Sequence, residues 1–281
     1  MSDDQQQRVA LTIAGSDSGG GAGIEADLRA FRDFGVHGCV AVTAVTAQNP
    51  HGVRAVEGLS PAMVQTQIEA VMEDFSPLGA VKTGMLLNAG IITAVANAFE
   101  KMGHVPRVVD PVMVATSGAR LLDAAAGAVL QKRLLPQATL LTPNVPEARE
   151  LLHWQGACDS PAALAEMAAQ LLARFGVAVL VKGGHLPQAP AVDVLAERPG
   201  EIWQLAAPAI EHPLTTHGTG CTLASAIAAN LALGRPLREA VRAAKAYLLG
   251  LLTAGVPVGR TAVYGFAGKT FSEAAVVERR V

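Results

Sequence analysis

The segment Val9-Ala10-Leu11-Thr12-Ile13-Ala14-Gly15-Ser16-Asp17-Ser18-Gly19-Gly20-Gly21-Ala22-Gly23 decides the fold class. Its first six residues form a nearly continuous apolar run, as expected of a strand buried on both faces. A glycine-rich loop at residues 15–23 stops the run. Beyond it Ile24, Leu28, Phe31 and Phe34 recur at helical spacing, which predicts a helix over residues 24–34. Strand, glycine loop and helix in this order open a βαβ unit.

The alternation continues outward from there. Apolar runs predict strands at residues 39–45, 80–83, 107–110, 139–142 and 177–181. Periodic segments predict helices at 61–75, 89–102, 124–135, 146–152, 161–175, 218–233 and 237–252. Residues 48–52, Gln-Asn-Pro-His-Gly, read as a turn, and 191–195 with 202–206 as a hairpin. No long polar linker or shift in composition interrupts the series. The expected architecture is a single α/β domain over residues 9–281, a mainly parallel sheet with helices on both faces, behind a flexible polar tail at residues 1–8.

Composition narrows the function classes. Of 281 residues, 51% are hydrophobic and 16% charged, which gives a folded core and excludes a disordered chain. Twenty-two Lys and Arg against 24 Asp and Glu leave a net charge of −2, so no basic footprint for nucleic acid or an anionic membrane exists. The polar, acidic start does not resemble a signal peptide, and no apolar run is long enough to predict a membrane span. Cys39, Cys158 and Cys221 are widely separated and spell neither a zinc site nor a disulfide framework; a reducing cytoplasm is the expected location.

In open parallel sheets ligands bind beyond the carboxyl ends of the strands. The polar and glycine-rich segments fall there: residues 15–23, 48–52, 82–84, Asp110, 142–147 and 182–185. Three motif matches mislead. Gly21-Ala22-Gly23-Ile24-Glu25-Ala26 fits a loose dinucleotide pattern, but no acidic residue lies between Asp33 and Glu57 to hold a ribose. Gly268-Lys269-Thr270 resembles the end of a phosphate loop, yet Val263 stands where its first glycine belongs. Asp17-Ser18-Gly19-Gly20 echoes a serine-protease string but lies beside a glycine run in an α/β chain.

His217-Gly218-Thr219-Gly220-Cys221 at a helix start is more informative. Two glycines admit an anion close to the backbone, where free N–H groups and the helix dipole bind it. A thiol there should have a lowered pKa and could hold or accept a proton, which makes Cys221 a candidate base for the substrate hydroxyl. A glycine-rich cap with Cys221 as a small buried hydrophobe fits the same string. Asp110 and Glu147, on neighbouring strand ends, could hold Mg²⁺ beside phosphate, or could simply close a turn and cap a helix. Lys182, in Val-Lys-Gly-Gly, would put a cation over the same phosphates, or into solvent.

These strings together resemble the hydroxymethylpyrimidine/phosphomethylpyrimidine kinases of the ribokinase-like superfamily. The resemblance rests on residues 14–24, Ala47-Gln48-Asn49, Lys82-Thr83-Gly84-Met85, Asp110-Pro111-Val112-Met113, residues 142–147, Val181-Lys182-Gly183-Gly184-His185 and residues 217–221, in family order from about residue 9 to about residue 250. It implies ATP- and Mg²⁺-dependent phosphorylation of 4-amino-5-hydroxymethyl-2-methylpyrimidine and then of its monophosphate, on the way to thiamine. Carried over by position, Gly15, Asp27, Gln48, Met85 and Val112 would line the substrate pocket. Asn144, Lys182 and Thr219 would meet ATP, and Asp110 and Glu147 the metal. Gly218, Gly220, Cys221 and Lys182 would act on the transferred group. A homodimer is implied as well. The wider superfamily commonly has Asp where Cys221 stands, which points to the pyrimidine and pyridoxal branch. Thr46 departs from the family, whose members often have an aliphatic residue there. Gln48 offers a donor beside an acceptor, which complements an aminopyrimidine edge; satisfying its own turn is the plainer role. A pyridoxal kinase, a dual-activity enzyme and a non-catalytic pyrimidine-binding protein are the alternatives.

Overall fold

Period-two alternation along the strands builds two apolar cores on opposite faces of one sheet. Val108, Leu140, Ala178 and Leu180 face one core, while their neighbours Val109, Leu141, Val179 and Val181 face the other. Strands buried on both sides need cover on both sides, and the intervening helices supply it.

The structure, a computed structural model, describes residues 7–49, 51–113, 122, 124–184, 190–210, 213–258, 261–263 and 272–281. In chain order the elements begin with β1 (Val9–Asp17), α1 (Gly23–Asp33), β2 (His37–Asn49), β3 (Gly52–Gly58), α2 (Pro61–Phe75), β4 (Ala80–Thr83), α3 (Ala89–Lys101) and β5 (Arg107–Val109). They continue with α4 (Ala124–Val129), β6 (Leu140–Leu141), α5 (Val145–Leu152), α6 (Pro161–Phe175), β7 (Ala178–Val181), β8 (Ala191–Arg198) and β9 (Glu201–Ala207). Helices α7 (Thr219–Ala232) and α8 (Leu237–Thr253) follow, then β10 (Val256–Val258), β11 (Thr261–Val263) and β12 (Val277–Arg280).

Ten strands form one sheet in the order β12-β9-β8-β7-β6-β5-β4-β1-β2-β3. The central run from β7 to β2 is parallel. Antiparallel strands extend both edges, β8, β9 and β12 on one side and β3 on the other. Helices α1, α7 and α8 cover one face; α2 to α6 cover the other. Ser60 and Ser160 each accept the backbone N–H three residues on, at 3.2 Å, with proline at the first helical position; those two helices have their predicted bounds. Among the described residues no helix is long and apolar enough to cross a membrane.

One expectation needs correction. Residues 48–49 belong to β2 rather than to a turn, because β3 pairs with β2 from Ala44↔Gly58 to Asn49↔Gly52. Strands β3 and β12 escaped the sequence reading because both are mainly solvent-facing and have no buried alternation to betray them. Of the expected tail, residues 1–6 lie outside the described residues, while the Gln7 amide donates to Gly35 O and Arg8 O accepts from His37 N.

Candidate active site

Strand β1 passes a register shift between Ala14 and Ser16 and delivers Asp17 to the carboxyl end of the sheet. Asp17 is 2% exposed and acts as the hub of the glycine-rich loop. Its carboxylate accepts the N–H groups of Gly19 (2.8 Å), Gly21 (3.0 Å) and Ala22 (2.8 Å), and His217 Nε2 lies 2.8 Å away. Burial works against this charge, but the hydrogen bonds from His217, Ala22 and Gly19 outweigh it and hold the carboxyl below its ordinary value. The loop's N–H groups are thus committed internally, a further reason why the dinucleotide match misleads.

Gln48 is clipped to the same loop. Its N–H donates to Ser18 Oγ and its carbonyl accepts from that hydroxyl, both at 2.8 Å. Its side chain reaches between Thr46 Oγ1 (3.3 Å) and His217 Nε2 (3.4 Å). A Cβ on Gly15 would overlap Met85 Cε, so these two predicted residues form one wall. Val112 is half-buried, and its N–H bonds the carbonyl of Asp110 at 2.8 Å.

A second cluster gathers at the ends of β5, β6 and β7. Lys182 Nζ lies 2.7 Å from Asp110 Oδ1, which also accepts the Thr142 hydroxyl at 3.0 Å. Asn144 and Glu147 cap helix α5 reciprocally, each side chain accepting the other's backbone N–H at 2.8 Å. Burial pushes the Glu147 carboxyl up to about 7, against the pull of Lys182 and with added repulsion from Asp110. For Lys182 burial opposes the charge, but Asp110 and Glu147 outweigh it and raise the ammonium above its ordinary value. Two buried carboxylates that repel one another fit a divalent cation, and Mg²⁺ beside phosphate takes one or two carboxylates with water and phosphate oxygens. Asn144 Oδ1 is committed to its cap and the Thr219 hydroxyl donates to Thr216 O at 3.0 Å, so the predicted nucleotide contacts of these two residues would fall to their remaining polar groups.

The start of α7 joins the two clusters. Gly218 adopts φ +82°, and a Cβ there would overlap the carbonyl oxygen of Gly21, so only glycine fits. It caps the helix with no side-chain hydrogen bond. A Cβ on Gly220 would sit 3.3 Å from Lys182 Nζ and 3.7 Å from Asp110 Oδ2. His217 thus touches Asp17 and Gln48 while Gly220, one turn later, stands over the Lys182–Asp110 pair.

Two predicted roles are corrected. The Cys221 thiol is raised, not lowered: burial dominates and Asp27 and Asp110 add to it, against the pull of Lys82 and the N–H of Gly23. Asp27 does not line the pocket. It is wholly buried, and its carboxylate takes Lys82 Nζ at 2.8 and 2.9 Å, the Thr12 hydroxyl at 2.6 Å and the Ser225 hydroxyl. The sequence reading counted Lys82 among the rim segments and missed its burial in β4, although a lysine inside the short apolar strand Ala80-Val81-Lys82-Thr83 demands a carboxylate partner. It also missed Asp17, whose signal was a carboxylate leading a glycine run, the usual form of a side chain that ties loop amides. The expected His185 and the Gly268-Lys269-Thr270 string lie outside the described residues.

A family model described as phosphomethylpyrimidine kinase matches residues 17–265. The hydroxymethylpyrimidine/phosphomethylpyrimidine kinase of Synechococcus elongatus is 48% identical over 255 residues, 90% of this chain and 94% of that protein. The thiamine biosynthesis bifunctional protein of Geobacter sulfurreducens is 47% identical over 251 residues, 89% of this chain; the chain spans 50% of that longer protein. A Bacillus subtilis pyridoxal kinase solved as an ADP complex superposes with a TM-score of 0.83 at 32% identity, covering 92% of this chain and 97% of the other. With nine-tenths of its length matched, the chain belongs to the phosphomethylpyrimidine kinase family.

Proposed function

We propose that the protein transfers the γ-phosphoryl group of ATP to the hydroxymethyl oxygen of 4-amino-5-hydroxymethyl-2-methylpyrimidine, and then phosphorylates the monophosphate, as one kinase domain over residues 9–281. The observation that carries this reading is the span of residues 217–221. One end of it meets Gln48, the proposed contact for the pyrimidine, and the other stands over Lys182 and Asp110. A hydroxymethyl acceptor and a triphosphate donor would therefore meet at the start of α7.

Phosphoryl transfer asks the protein chiefly for positioning and charge stabilisation. Gln48 orients the ring, with Gly15, Met85 and Val112 around it. The Lys182 ammonium neutralises phosphate oxygens. The N–H groups at Gly218, Gly220 and Cys221 receive charge that develops on the transferred group. Asp110 and Glu147 would hold Mg²⁺, which supplies further neutralisation of the triphosphate when bound. An apolar cleft of about 480 Å³ between Ile210, Leu214, Leu249 and Leu252, with Leu214 three residues before His217, is the proposed seat of the adenine ring. A cytoplasmic homodimer remains the expected form.

ADP formation measured by a coupled assay, with the pyrimidine and with pyridoxal in parallel, tests the reading. Pyrimidine-dependent turnover well above that with pyridoxal is expected, because pyridoxal lacks the amine that Gln48 would read. Turnover with pyridoxal alone would make the protein a pyridoxal kinase; turnover with neither would leave a binding protein.

A further inference from the structure

We infer that Asp17, His217 and Thr46 together fix the side-chain amide of Gln48 in one orientation, oxygen towards His217 and nitrogen towards Thr46, and so decide which way round the pyrimidine binds. The inference deepens the proposed function and rests on Gln48 as the ring contact.

The argument begins at both ends of a short hydrogen-bond chain. An ionised Asp17 only accepts, and the hydrogen bonds it takes from His217, Ala22 and Gly19 keep it ionised against its burial. His217 Nε2, 2.8 Å from it, must therefore carry a hydrogen in either charge state of the ring. That nitrogen can offer Gln48 only an N–H, so the amide atom 3.4 Å away should be the oxygen. At the other end the Thr46 hydroxyl lies 2.8 Å from Ser16 O, a carbonyl that only accepts. The hydroxyl hydrogen is engaged there, which leaves a lone pair for the amide atom at 3.3 Å, and that atom should be the nitrogen. The structure places the amide with nitrogen to His217 and oxygen to Thr46, a donor facing a donor and an acceptor facing an acceptor. Since amide oxygen and nitrogen are assigned by the partners they meet, a half-turn about the last bond satisfies both contacts at once.

The consequence is a choice of substrate pose. An aminopyrimidine presents its ring nitrogen beside the exocyclic amine, and the carbon bearing the hydroxymethyl group adjoins the amine-bearing carbon. With the oxygen of Gln48 on the His217 side, the amine goes to that side and carries the hydroxymethyl group with it. That is the side of Gly218, Gly220 and Cys221, where the phosphoryl group must be received. The opposite amide orientation favours the flipped ring, with the reacting oxygen turned away. Thr46 is thus a positioning residue, and here a hydroxyl stands where the resembling family often has an aliphatic side chain.

The test uses the whole chain and two readouts. In NMR of the ligand-free protein labelled at glutamine side chains, the Gln48 amide protons should show NOEs to the Thr46 methyl group and not to the His217 ring. In steady-state kinetics Thr46→Val, equal in shape but without the hydroxyl, should raise KM for the pyrimidine about 2- to 10-fold, the worth of one net hydrogen bond. The KM for ATP should stay unchanged, and Thr46→Ser should restore pyrimidine KM. NOEs to the His217 ring, or a Thr46→Val enzyme with unaltered pyrimidine KM, would overturn the inference. Equal damage to ATP use, or in Thr46→Ser, would overturn it too by showing a merely structural role. If the unaltered protein forms no ADP with the pyrimidine, the kinase reading fails, and the NOEs still decide the orientation.

Discussion

Lys82 Nζ lies 2.8 Å from Asp27 Oδ2, and neither side chain reaches solvent. The pair sits beneath the site: a Cβ added at Gly84 would be 3.0 Å from the ammonium, whose burial is outweighed by Asp27 and then Asp110, so that its pKa stays above the ordinary value. Removing one member of such a pair leaves an uncompensated charge in the interior, so Lys82→Met should destabilise the fold by about 3–5 kcal/mol. Adding Asp27→Asn to Lys82→Met should recover part of that loss, because a neutral amide still meets the Thr12 and Ser225 hydroxyls. Urea unfolding of the single and double variants measures both. Equal stability of Lys82→Met and the parent would mean the charges are not compensating one another.

The raised thiol of Cys221 separates two accounts of the α7 start. A neutral thiol is a poor proton acceptor, and the backbone N–H groups survive a serine replacement. Cys221→Ser should therefore keep kcat within about tenfold, against the roughly 10²–10⁴-fold loss expected of a missing general base. Gly218→Ala should be far worse, with a fall of about 10²-fold or more as the anion-binding amides are displaced, because its φ of +82° and the Gly21 carbonyl exclude a Cβ. A hundredfold drop in Cys221→Ser, at about the lower bound for base catalysis, would restore the base.

Metal demand should follow the carboxylates at the strand ends. Asp110→Asn and Glu147→Gln keep side-chain size and delete charge, and each should raise the Mg²⁺ concentration for half-maximal rate by at least about tenfold. Asp110→Asn should also raise KM for ATP, since it removes the negative charge 2.7 Å away that holds Lys182 in place. Titrations superimposable on the parent enzyme would make both residues structural.

Asp17 gives a pH dependence of known sign. Its folded pKa lies below its ordinary value of 3.8, so its ionised form stabilises the glycine-rich loop fully above that value. The contribution is lost as pH falls below 3.8 towards the folded value. Thermal unfolding between neutral pH and the acid limb should show the parent losing more stability than Asp17→Asn over that acid window. Parallel curves would count against the hub.

Much of this protein was determined by sequence alone. Apolar runs between amphipathic segments gave a parallel sheet covered on both sides, and Ser60-Pro61 and Ser160-Pro161 placed two helix starts to the residue, because caps and periodicity are local properties. The placing of Asp110 and Lys182 at strand ends and of Glu147 and Gly218 at helix starts was legible because strand ends and glycine strings are local too. Tertiary structure decided the rest. Asp27 and Lys82 are 55 residues apart, and nothing in either neighbourhood says that one neutralises the other. Asp17 and His217, separated by 200 residues, meet only because α7 returns to the β1 loop. Whether Cys221 is a thiol or a thiolate depends on what the fold brings around it: burial, Asp27 and Asp110 against Lys82. Local pattern fixes backbone geometry, while charge state and side-chain orientation follow from desolvation and from partners remote in the chain.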